Sequence, residues 1–569
     1  MNLTILKPIV IGFVPLLMAV LLSGCDTSKI EEPPSYPPQC NDAVDRTSPL
    51  LSNGFGFDLG NTRNQSSNLF AENVANLDLN FAHAAFSYPG KRGAPAVTEQ
   101  AIFFSSGLDI VAMNRSSGCL YWSFRGEEVP PHLLLGPNII RSSSIYLVND
   151  DSEQPALVIA GDNKGILYAV NAETGQMVWQ RFIGTDEKHH IVTGGFQYYD
   201  GALYVPVSSN EALISILELP VCCTSHGLLQ KIDVYSGETI WTYHTTEEAT
   251  LQPGGSHRGP NGATVWSVPA IDPQRNSVYI GTGQNLTPPI TKTSDAIIAL
   301  NMDDGSERWS FQAYDDDAWN ATCEIPFKAL SKDCIQPAGY DFDFGAPPIL
   351  VKLENGSDAV IAGSKGGGVY SLNPDSGELN WYNQVGVGSA LGGVHWGMAA
   401  DDQRVYVPVA DAFINSTSVA TVIDSLLNGT KVEPLTGGAP GIHALNLVNG
   451  NTEWTVSPQH LHEGGYFTSI FSAAISVTND IIFAGSLDGH VLALNKADGR
   501  ELWRYDSAQP FTDVAGITSH GGSIDSVGPI PAGDTLLLNS GYSNYGGIDA
   551  YQAGPGNGLL VFKSNQSVD

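Results

Sequence analysis

Residues 299–309 read ALNMDDGSERW, and this phrase is the part of the sequence that decides the fold. Six more copies occur along the chain, and in each a glycine lies four residues before a tryptophan and Asn or Asp lies eight before it. The seven tryptophans are Trp122, Trp179, Trp241, Trp309, Trp381, Trp454 and Trp503. Such a phrase predicts a strand, a tight turn with one left-handed residue, and a second strand.

The spacing of the copies indicates how these strands are organised. Successive tryptophans are 49 to 73 residues apart, which is room for a four-stranded blade and a variable loop. A tryptophan at one place in every blade is predicted to pack against the neighbouring blade. An eighth copy is split between LDLNF at 77–81, where Phe81 takes the tryptophan position, and GLLVF at 558–562. We therefore predict an all-β, eight-bladed β-propeller with tryptophan-docking motifs, whose ring is closed by the N- and C-terminal strands.

The N-terminal segment has the features of an export signal. Residues 9–22 form an apolar run that is short for a bilayer span but suits a signal-peptide core. It ends in LSGC, which resembles a bacterial lipobox, so residues 1–25 are predicted to be a lipoprotein signal peptide and Cys25 the lipidated residue. The alternative is an ordinary cleaved signal. In the lipoproteins that this segment resembles, an aspartate at the place of Asp26 retains the protein on the inner membrane, so we expect a periplasmic, lipid-anchored protein.

Composition indicates one large body behind a linker. Residues 26–50 include EEPPSYPP and read as a flexible tether, and residues 51–569 are assigned to the propeller. The chain is 42% hydrophobic and contains 61 glycines, which suits a large β-rich core. Acidic residues outnumber basic ones 59 to 27, so a polyanion would be repelled and nucleic acid is excluded as a partner.

The seven cysteines indicate an oxidising compartment, because six remain for disulfides once Cys25 carries a lipid. The predicted pairs are Cys222–Cys223, Cys323–Cys334 and Cys40–Cys119. The sequence contains no C-x-x-C-H motif, so we expect no c-type haem attached by the usual two thioethers.

The repeated phrase resembles the tryptophan-docking motif of the alcohol dehydrogenases that depend on pyrroloquinoline quinone (PQQ). Within that family, the run from 202 to 408 is most similar to the polyvinyl-alcohol dehydrogenases, and the resemblance extends over the body from residue 53 onwards. The matching phrases are VPVSSNE, CCTSHG, GPNGATVWS, YIGTGQN, DAWNATC, DFDFG, AGSKGGGVY, ALGGVHWGMAAD, GGSIDSVGP and NSGYSNYGG. The resemblance implies oxidation of an alcohol, secondary or polymeric, with PQQ and calcium as cofactors.

Three tryptophans lie outside the repeat: Trp266, Trp319 and Trp396. The resemblance implies that Trp266 underlies the flat cofactor, although an indole that only fills the core is the alternative. Lys365 in AGSKGGG matches the basic residue that reaches the quinone oxygens in the family. Thr193 and Ser208 match hydroxyl contacts to the cofactor, and both residue types are too common in β structure to be specific.

The resemblance also implies a lid and a metal site. In the family, a disulfide between neighbouring cysteines presents a sulfur face to the cofactor, so Cys222 and Cys223 form either such a lid or a structural turn. Glu211 matches the glutamate that binds calcium beside the quinone, with a solvated carboxylate as the alternative. The family's second metal ligand, an asparagine, has two candidates in this chain, Gln284 and Asn285.

The residue that takes the substrate proton is open. Relatives use an aspartate where this chain has Asn320, which cannot accept a proton. The nearest substitutes are Asp317 and Asp343; we select Asp317, although it also belongs to an acidic run that suits a solvated loop. The resemblance places His226 and His395 where the family has charged residues, so both are candidate substrate contacts or simply loop residues.

The missing haem motif implies that electrons leave to a separate cytochrome c or to membrane quinone. A second hypothesis belongs to another class of protein. The chain resembles a lipoprotein propeller that binds no quinone, so a non-catalytic binding or assembly scaffold is the alternative function.

Overall fold

The computed structural model describes residues 37–85, 93–126, 139–151, 153–215, 222–255, 257–323, 339–388, 392–411, 438–457, 470–541 and 556–564. The predicted signal peptide and the lipid site at Cys25 lie outside these residues, and the domain boundaries at 25 and 50 stay predictions. Within the described ranges, helices are too short and polar to form a membrane span.

The described residues form eight antiparallel sheets, so the prediction of an all-β, eight-bladed propeller is confirmed. We number the blades in the order in which their tryptophan phrases occur, and the closing sheet is blade 8. Within the described residues there are only short helices: Glu211–Ile214, and the 3-10 turns Val74–Asn76 and Ala321–Cys323.

The strands of the first four blades have the following bounds. Blade 1 contains Leu50–Ser52, Ala96–Thr98, Ala101–Ser106, Asp109–Asn114 and Leu120–Arg125. Blade 2 contains Tyr146–Val148, Leu157–Gly161, Ile166–Asn171 and Met177–Phe182. Blade 3 contains His190–Ile191, Gln197–Tyr199, Ala202–Ser209, Leu228–Asp233 and Thr239–His244. Blade 4 contains Ala270–Asp272, Ser277–Gly281, Ala296–Asn301 and Glu307–Gln312.

The remaining blades repeat this order. Blade 5 contains Ile349–Lys352, Asp358–Gly363, Gly368–Leu372 and Leu379–Gln384. Blade 6 contains Ala399–Ala400, Arg404–Val409, Gly441–Asn446 and Thr452–Val456. Blade 7 contains Ser476–Thr478, Ile481–Gly485, His490–Asn495 and Glu501–Asp506. Blade 8 contains Leu77–Ala84, Ile530–Ala532, Thr535–Ser540 and Gly558–Ser564. Two hairpins lie outside the blade sheets: Thr250–Leu251 with Arg258–Gly259, and Pro510–Thr512 with Thr518–His520.

The repeated phrase forms the last hairpin of a blade. Its glycine allows the left-handed turn and leaves room for the tryptophan of the previous blade. Gly305 has a φ of +73°, which an L side chain rarely adopts, and its N–H bonds to the Asn301 carbonyl over 2.9 Å. A Cβ at Gly305 would lie only 2.7 Å from the ring of Trp241, the tryptophan of the previous blade. The indole N–H of Trp241 also donates to the Met302 carbonyl over 3.0 Å. Each phrase thus contributes a tryptophan to one contact and a glycine to the next.

Blade 8 joins the two ends of the described chain. Leu77–Ala84 pairs antiparallel with Gly558–Ser564, and Phe81 lies opposite Val561. The Phe81 ring lies 3.0 Å from the place where a Cβ of Gly118 would be, just as the tryptophans of blades 1 to 6 lie against the phrase glycine of the next blade.

An N-terminal segment, residues 53–68, crosses the inner strands of successive blades. Its carbonyls at Leu59, Gly60, Thr62 and Arg63 accept N–H groups of Ile271, Leu350, Ala400 and Val477, in blades 4, 5, 6 and 7. The Arg63 side chain is buried, donates to the carbonyls of Ile475 and Val527, and lies on the ring of Phe55. Phe55 belongs to the same apolar cluster as Trp266, so this segment packs against the centre of the ring of blades.

Two of the predicted disulfides are confirmed. Cys40 is joined to Cys119, which ties the start of the described chain to blade 1, and Cys222 is joined to Cys223. The third predicted pair involves Cys334, which lies outside the described residues.

Candidate active site

The residues of the candidate site come from two kinds of connection that lie at one end of the propeller. Arg141, Thr193, Trp266, Asp343 and His395 each precede the inner strand of a blade. Because the strands alternate in direction, this end also carries the connections between the second and third strands. Those connections supply a further set: Glu211, Gln284, Asn285, Lys365 and the Cys222–Cys223 pair.

Trp266 is held in the middle of this end. It is partly exposed, whereas Trp319 and Trp396 are buried. The indole of Trp266 meets that of Trp396 edge-to-face, with ring centroids 5.4 Å apart, and its N–H donates to Asp343 Oδ2 over 2.9 Å. A side chain at Gly345 would overlap the indole, so this position accommodates the ring only as glycine. The result is a fixed aromatic surface.

Lys365 lies above that surface. Its Nζ is 5.7 Å from the centre of the Trp266 ring, 2.7 Å from Asp341 Oδ1 and 3.1 Å from Asp343 Oδ2. Burial lowers the pKa of Lys365, but Asp341 and Asp343 outweigh it and raise that pKa above its ordinary value. Lys365 is therefore a buried cation beside two carboxylates.

The two candidate aspartates have different surroundings. Asp343 contacts the indole N–H of Trp266, the ammonium of Lys365, and the backbone N–H of Gln284, which donates to Oδ1 over 3.0 Å. Asp317 is fully buried and accepts three backbone N–H groups, those of Tyr340, Asp341 and Phe342, at 2.8, 3.2 and 2.8 Å. Asp317 thus holds the segment that carries Asp341 and Asp343.

A further acid, Asp295, was not singled out by the sequence. It is fully buried, and neither carboxyl oxygen has a hydrogen-bond partner among the described residues. Burial raises the pKa of Asp295 well above its ordinary value, and Asp317, Asp343 and Asp341 raise it further. These surroundings favour the neutral form of Asp295. No motif in the sequence indicates this, because the burial is produced by neighbouring loops.

Arg141 is a second residue of the site that the sequence did not single out. Its guanidinium is desolvated, which lowers its pKa to about 10, and its Nε donates to Thr193 Oγ1 over 3.3 Å. Among the described residues, no carboxylate lies within ion-pair distance of Arg141. The signal in the sequence was an arginine shortly before the inner strand Tyr146–Val148, in a chain with only 27 basic residues. Ser208 lies nearby, because it pairs with Ile191, two residues before Thr193.

Glu211 is buried at the start of a short helix. Its Oε1 accepts the N–H of Thr224 over 2.9 Å, and its Oε2 accepts the N–H of Ser225 over 2.8 Å and the Ser225 hydroxyl over 2.5 Å. His189 Nε2 is 4.0 Å from Oε1, and Asp186 Oδ2 lies 2.6 Å from His189 Nδ1. Burial raises the pKa of Glu211.

The two amides proposed as the second metal ligand are used differently. Asn285 donates to the Asn261 carbonyl over 2.6 Å and accepts the N–H of Thr291 over 2.8 Å, so its amide holds its own loop. Gln284 donates from Nε2 to the Trp319 carbonyl over 3.2 Å, and its side-chain Oε1 accepts no hydrogen bond from the described residues. Across the described ranges, no group of three or more His, Cys, Asp or Glu side chains is arranged to hold a metal ion.

The disulfide and Asn320 belong to the same loop cluster. Cys222 and Cys223 are buried against Leu286, and Asn261 donates to the Cys223 carbonyl over 2.7 Å. Asn320 donates to the Leu286 carbonyl over 2.8 Å, so its amide stabilises this cluster. His226 lies beside it and bonds to His244 over 2.8 Å.

Comparison with known proteins assigns this arrangement to a family. The family description "Glucose/ethanol/alcohol dehydrogenase, beta-propeller domain" matches residues 71–326, and that of the outer membrane protein assembly factor BamB matches residues 438–554. A polyvinylalcohol dehydrogenase of a Pseudomonas species is 31% identical over 541 residues, which are 91% of this chain and 78% of that protein. The chain belongs to the PQQ-dependent alcohol dehydrogenase family.

Other members of the PQQ-dependent alcohol dehydrogenase family agree in sequence or in fold. A polyvinylalcohol dehydrogenase of Sphingopyxis sp. (strain 113P3) is also 31% identical, over 94% of this chain and 80% of its own length. The crystal structure of a quinohemoprotein alcohol dehydrogenase from Comamonas testosteroni superimposes with a TM-score of 0.64 at 17% identity. The alignment covers 92% of this chain and 82% of that one, and it supports the propeller fold alone.

The residues of the site fit the cofactor of the PQQ-dependent alcohol dehydrogenase family. PQQ is a flat ring with three carboxylates, so a protein that binds it needs an aromatic surface and buried cations. Trp266 supplies the surface, and Arg141 is a desolvated cation without a carboxylate partner among the described residues.

Proposed function

We propose that this protein oxidises secondary alcohol groups, including those along a poly(vinyl alcohol) chain, with PQQ as the cofactor. The observation that carries the proposal is the contact of Asp343 with both Trp266 and Lys365, which sets a carboxylate at the edge of one aromatic ring and a cation over its face. The substrate class is supported by two relatives, each 31% identical, that are named polyvinylalcohol dehydrogenases.

In this proposal, Trp266 is the floor under the cofactor. Arg141 binds one of its carboxylates, because its guanidinium is desolvated and bonds to Thr193. Lys365 contacts the quinone oxygens, and Thr193 and Ser208 offer hydroxyl groups. When bound, PQQ supplies the acceptor for the two electrons of the alcohol.

Asp343 is the proposed acceptor of the substrate hydroxyl proton. The Lys365 ammonium lies 3.1 Å from this carboxylate, and the N–H groups of Trp266 and Gln284 fix its orientation. The sequence favoured Asp317, but its oxygens accept three backbone N–H groups, so a positioning role suits it better. Asn320 bonds to the Leu286 carbonyl and takes no part in proton transfer.

Calcium is proposed as the second cofactor, with Glu211 and Gln284 as ligands. Oxygen donors suit a hard cation, and both side chains have an oxygen with remaining acceptor capacity. The metal would polarise the quinone carbonyl. Asn285 is the weaker candidate, because its amide already holds its loop.

The Cys222–Cys223 disulfide is proposed as the lid of the cofactor pocket. It is buried against Leu286, two residues from Gln284, so it adjoins the proposed metal ligand. Electrons pass to a separate cytochrome c, as is typical of the family, with membrane quinone as the alternative acceptor. Export to the periplasm and a lipid on Cys25, at the inner membrane, complete the proposal and rest on the sequence alone.

The test is reconstitution of the purified protein with PQQ and calcium. Dye reduction is then followed with 2-hexanol and with oligomeric vinyl alcohol, and quenching of tryptophan fluorescence reports quinone binding. Turnover with either alcohol supports the proposal. Quinone binding without turnover of any alcohol would overturn it. No quinone binding at all would favour the binding or assembly scaffold, which the match at residues 438–554 keeps as the second candidate.

A further inference from the structure

Three buried side chains, His395, Ser472 and Asp525, are linked by hydrogen bonds, and the first of them contacts Trp266. His395 Nδ1 is 2.7 Å from Ser472 Oγ, and Ser472 Oγ donates to Asp525 Oδ1 over 2.8 Å. The three residues precede the inner strands of blades 6, 7 and 8. The His395 ring meets Trp266 edge-to-face, with centroids 5.9 Å apart. This hydrogen-bonded series therefore ends at the same aromatic surface as Asp343.

The directions of the two hydrogen bonds that link His395, Ser472 and Asp525 follow from the number of protons available to them. A hydroxyl has one proton, and Ser472 gives it to Asp525, so His395 must donate its Nδ1–H to Ser472. That bond persists whether the imidazole is neutral or charged. Only Nε2 changes its protonation, and no rotation of the ring is needed. This is the arrangement of a group that can gain and lose a proton in place.

The proposed reaction releases one proton more than a single acceptor takes up at one time. An alcohol that becomes a carbonyl gives up two electrons and two protons in total. The electrons leave through the quinone to the separate acceptor, and both protons must leave a buried site by way of side chains or water. Asp343 accounts for one of them.

We propose that His395 is a second acid–base residue of the site and that Asp525, through Ser472, sets its affinity for protons. The inference rests on the proposed alcohol oxidation. His395 takes up one proton at Nε2 and releases it again, with no change in electrons. The charge that it gains is balanced by Asp525 across one hydroxyl.

The other charged groups near His395 include both a cation and an anion, so their effects on its proton affinity oppose each other. Val394 donates its N–H to the Ser364 carbonyl, which brings the connection that carries the Lys365 cation against this segment. Asp343 lies beyond Trp266 and is itself paired with Lys365. Asp525 is thus the anion that reaches His395 through a hydrogen bond, and its removal is expected to dominate.

The first test uses the protein without cofactor, labelled with ¹³C and ¹⁵N at histidine and titrated by NMR. The His395 resonance is identified by its loss in His395→Gln. We expect it to titrate, with a neutral form that carries the proton on Nδ1. In Ser472→Ala its midpoint should fall by about one pH unit, because the imidazolium loses its link to Asp525. Ser472→Thr keeps the hydroxyl and should keep the midpoint.

An unchanged midpoint in Ser472→Ala, or a neutral form protonated on Nε2, would overturn this inference even if the enzyme is active. The second test measures turnover against pH in protein loaded with PQQ. His395→Gln should bind the cofactor and lose one limb of the pH profile, and a profile that keeps both limbs would also contradict the inference. Absence of alcohol oxidation in the unaltered protein would instead contradict the proposed function.

Discussion

Trp266 and Asp343 are joined by a hydrogen bond of 2.9 Å, from the indole N–H to Oδ2, although they precede the inner strands of different blades. The aromatic surface and the proposed proton acceptor are therefore one unit, and Lys365 contacts both. A substitution of either residue is therefore expected to change the position of the other.

The roles of the two aspartates can be separated by amide substitution. Asp343→Asn should fold and bind PQQ, but turnover should fall by about two to four orders of magnitude, the loss typical of a missing general base. Asp317→Asn should instead lower the free energy of unfolding by about 1–3 kcal/mol, because an amide N–H₂ would face backbone N–H groups. Turnover and urea unfolding of both variants are the measurements. The reverse pattern, with Asp317→Asn inactive but stable, would identify Asp317 as the base.

Arg141, which is partly buried, and Arg63, which is fully buried, are two desolvated arginines with opposite expectations. Arg141→Met should leave the unfolding free energy of the cofactor-free protein unchanged or higher, since a desolvated charge is removed, while PQQ affinity falls at least about tenfold. Arg63→Met should lower stability, because the carbonyls of Ile475 and Val527 lose their donor. Fluorescence titration with PQQ and urea unfolding report both effects. Full PQQ affinity in Arg141→Met would remove this residue from the cofactor site.

Gly345→Ala tests whether the Trp266 surface must stay in place. The added methyl overlaps the six-membered ring of the indole, so the near-ultraviolet circular dichroism should change and PQQ affinity should fall. Trp266→Phe removes that part of the ring, so the double variant Gly345→Ala/Trp266→Phe should regain the stability that Gly345→Ala loses. Additive losses in the double variant would show that the methyl acts elsewhere.

His190 predicts how stability depends on pH. Burial lowers the pKa of His190 to about 4, and its Nδ1 accepts the N–H groups of Thr185 and Asp186. Below a pH of about 6.5 the unfolded chain binds a proton at this histidine and the folded protein does not, so the unfolding free energy falls as pH drops towards 4. At pH 5 the cost is about 2 kcal/mol.

His190→Asn keeps an acceptor for those N–H groups but cannot be protonated. The difference in urea stability between pH 7.5 and pH 5 should therefore shrink by about 2 kcal/mol. His520→Asn, at a partly exposed position, serves as the control and should leave the difference nearly unchanged. An equal pH dependence in His190→Asn and the unaltered protein would show that other groups cause it.

Much of this protein is determined by the sequence alone. The phrase that contains Gly305 and Trp309 repeats because a left-handed turn and a tryptophan are needed at one place in each blade, and such local requirements are visible in the sequence. The blade number and the family follow from that repeat and its neighbouring phrases. The Cys40–Cys119 and Cys222–Cys223 pairs were also predicted, and both are present.

The tertiary structure decided what each polar side chain of the site can do. Asp317 and Asp343 are similar candidates in the sequence, and only the packed loops show that one caps backbone N–H groups while the other contacts Lys365. Arg141 and Asp295 gain their importance from desolvation, a property of neighbouring blades rather than of the local sequence. The physical reason is that pKa values and hydrogen-bond capacity depend on what the ring of blades brings into contact, and these contacts join residues far apart in the chain.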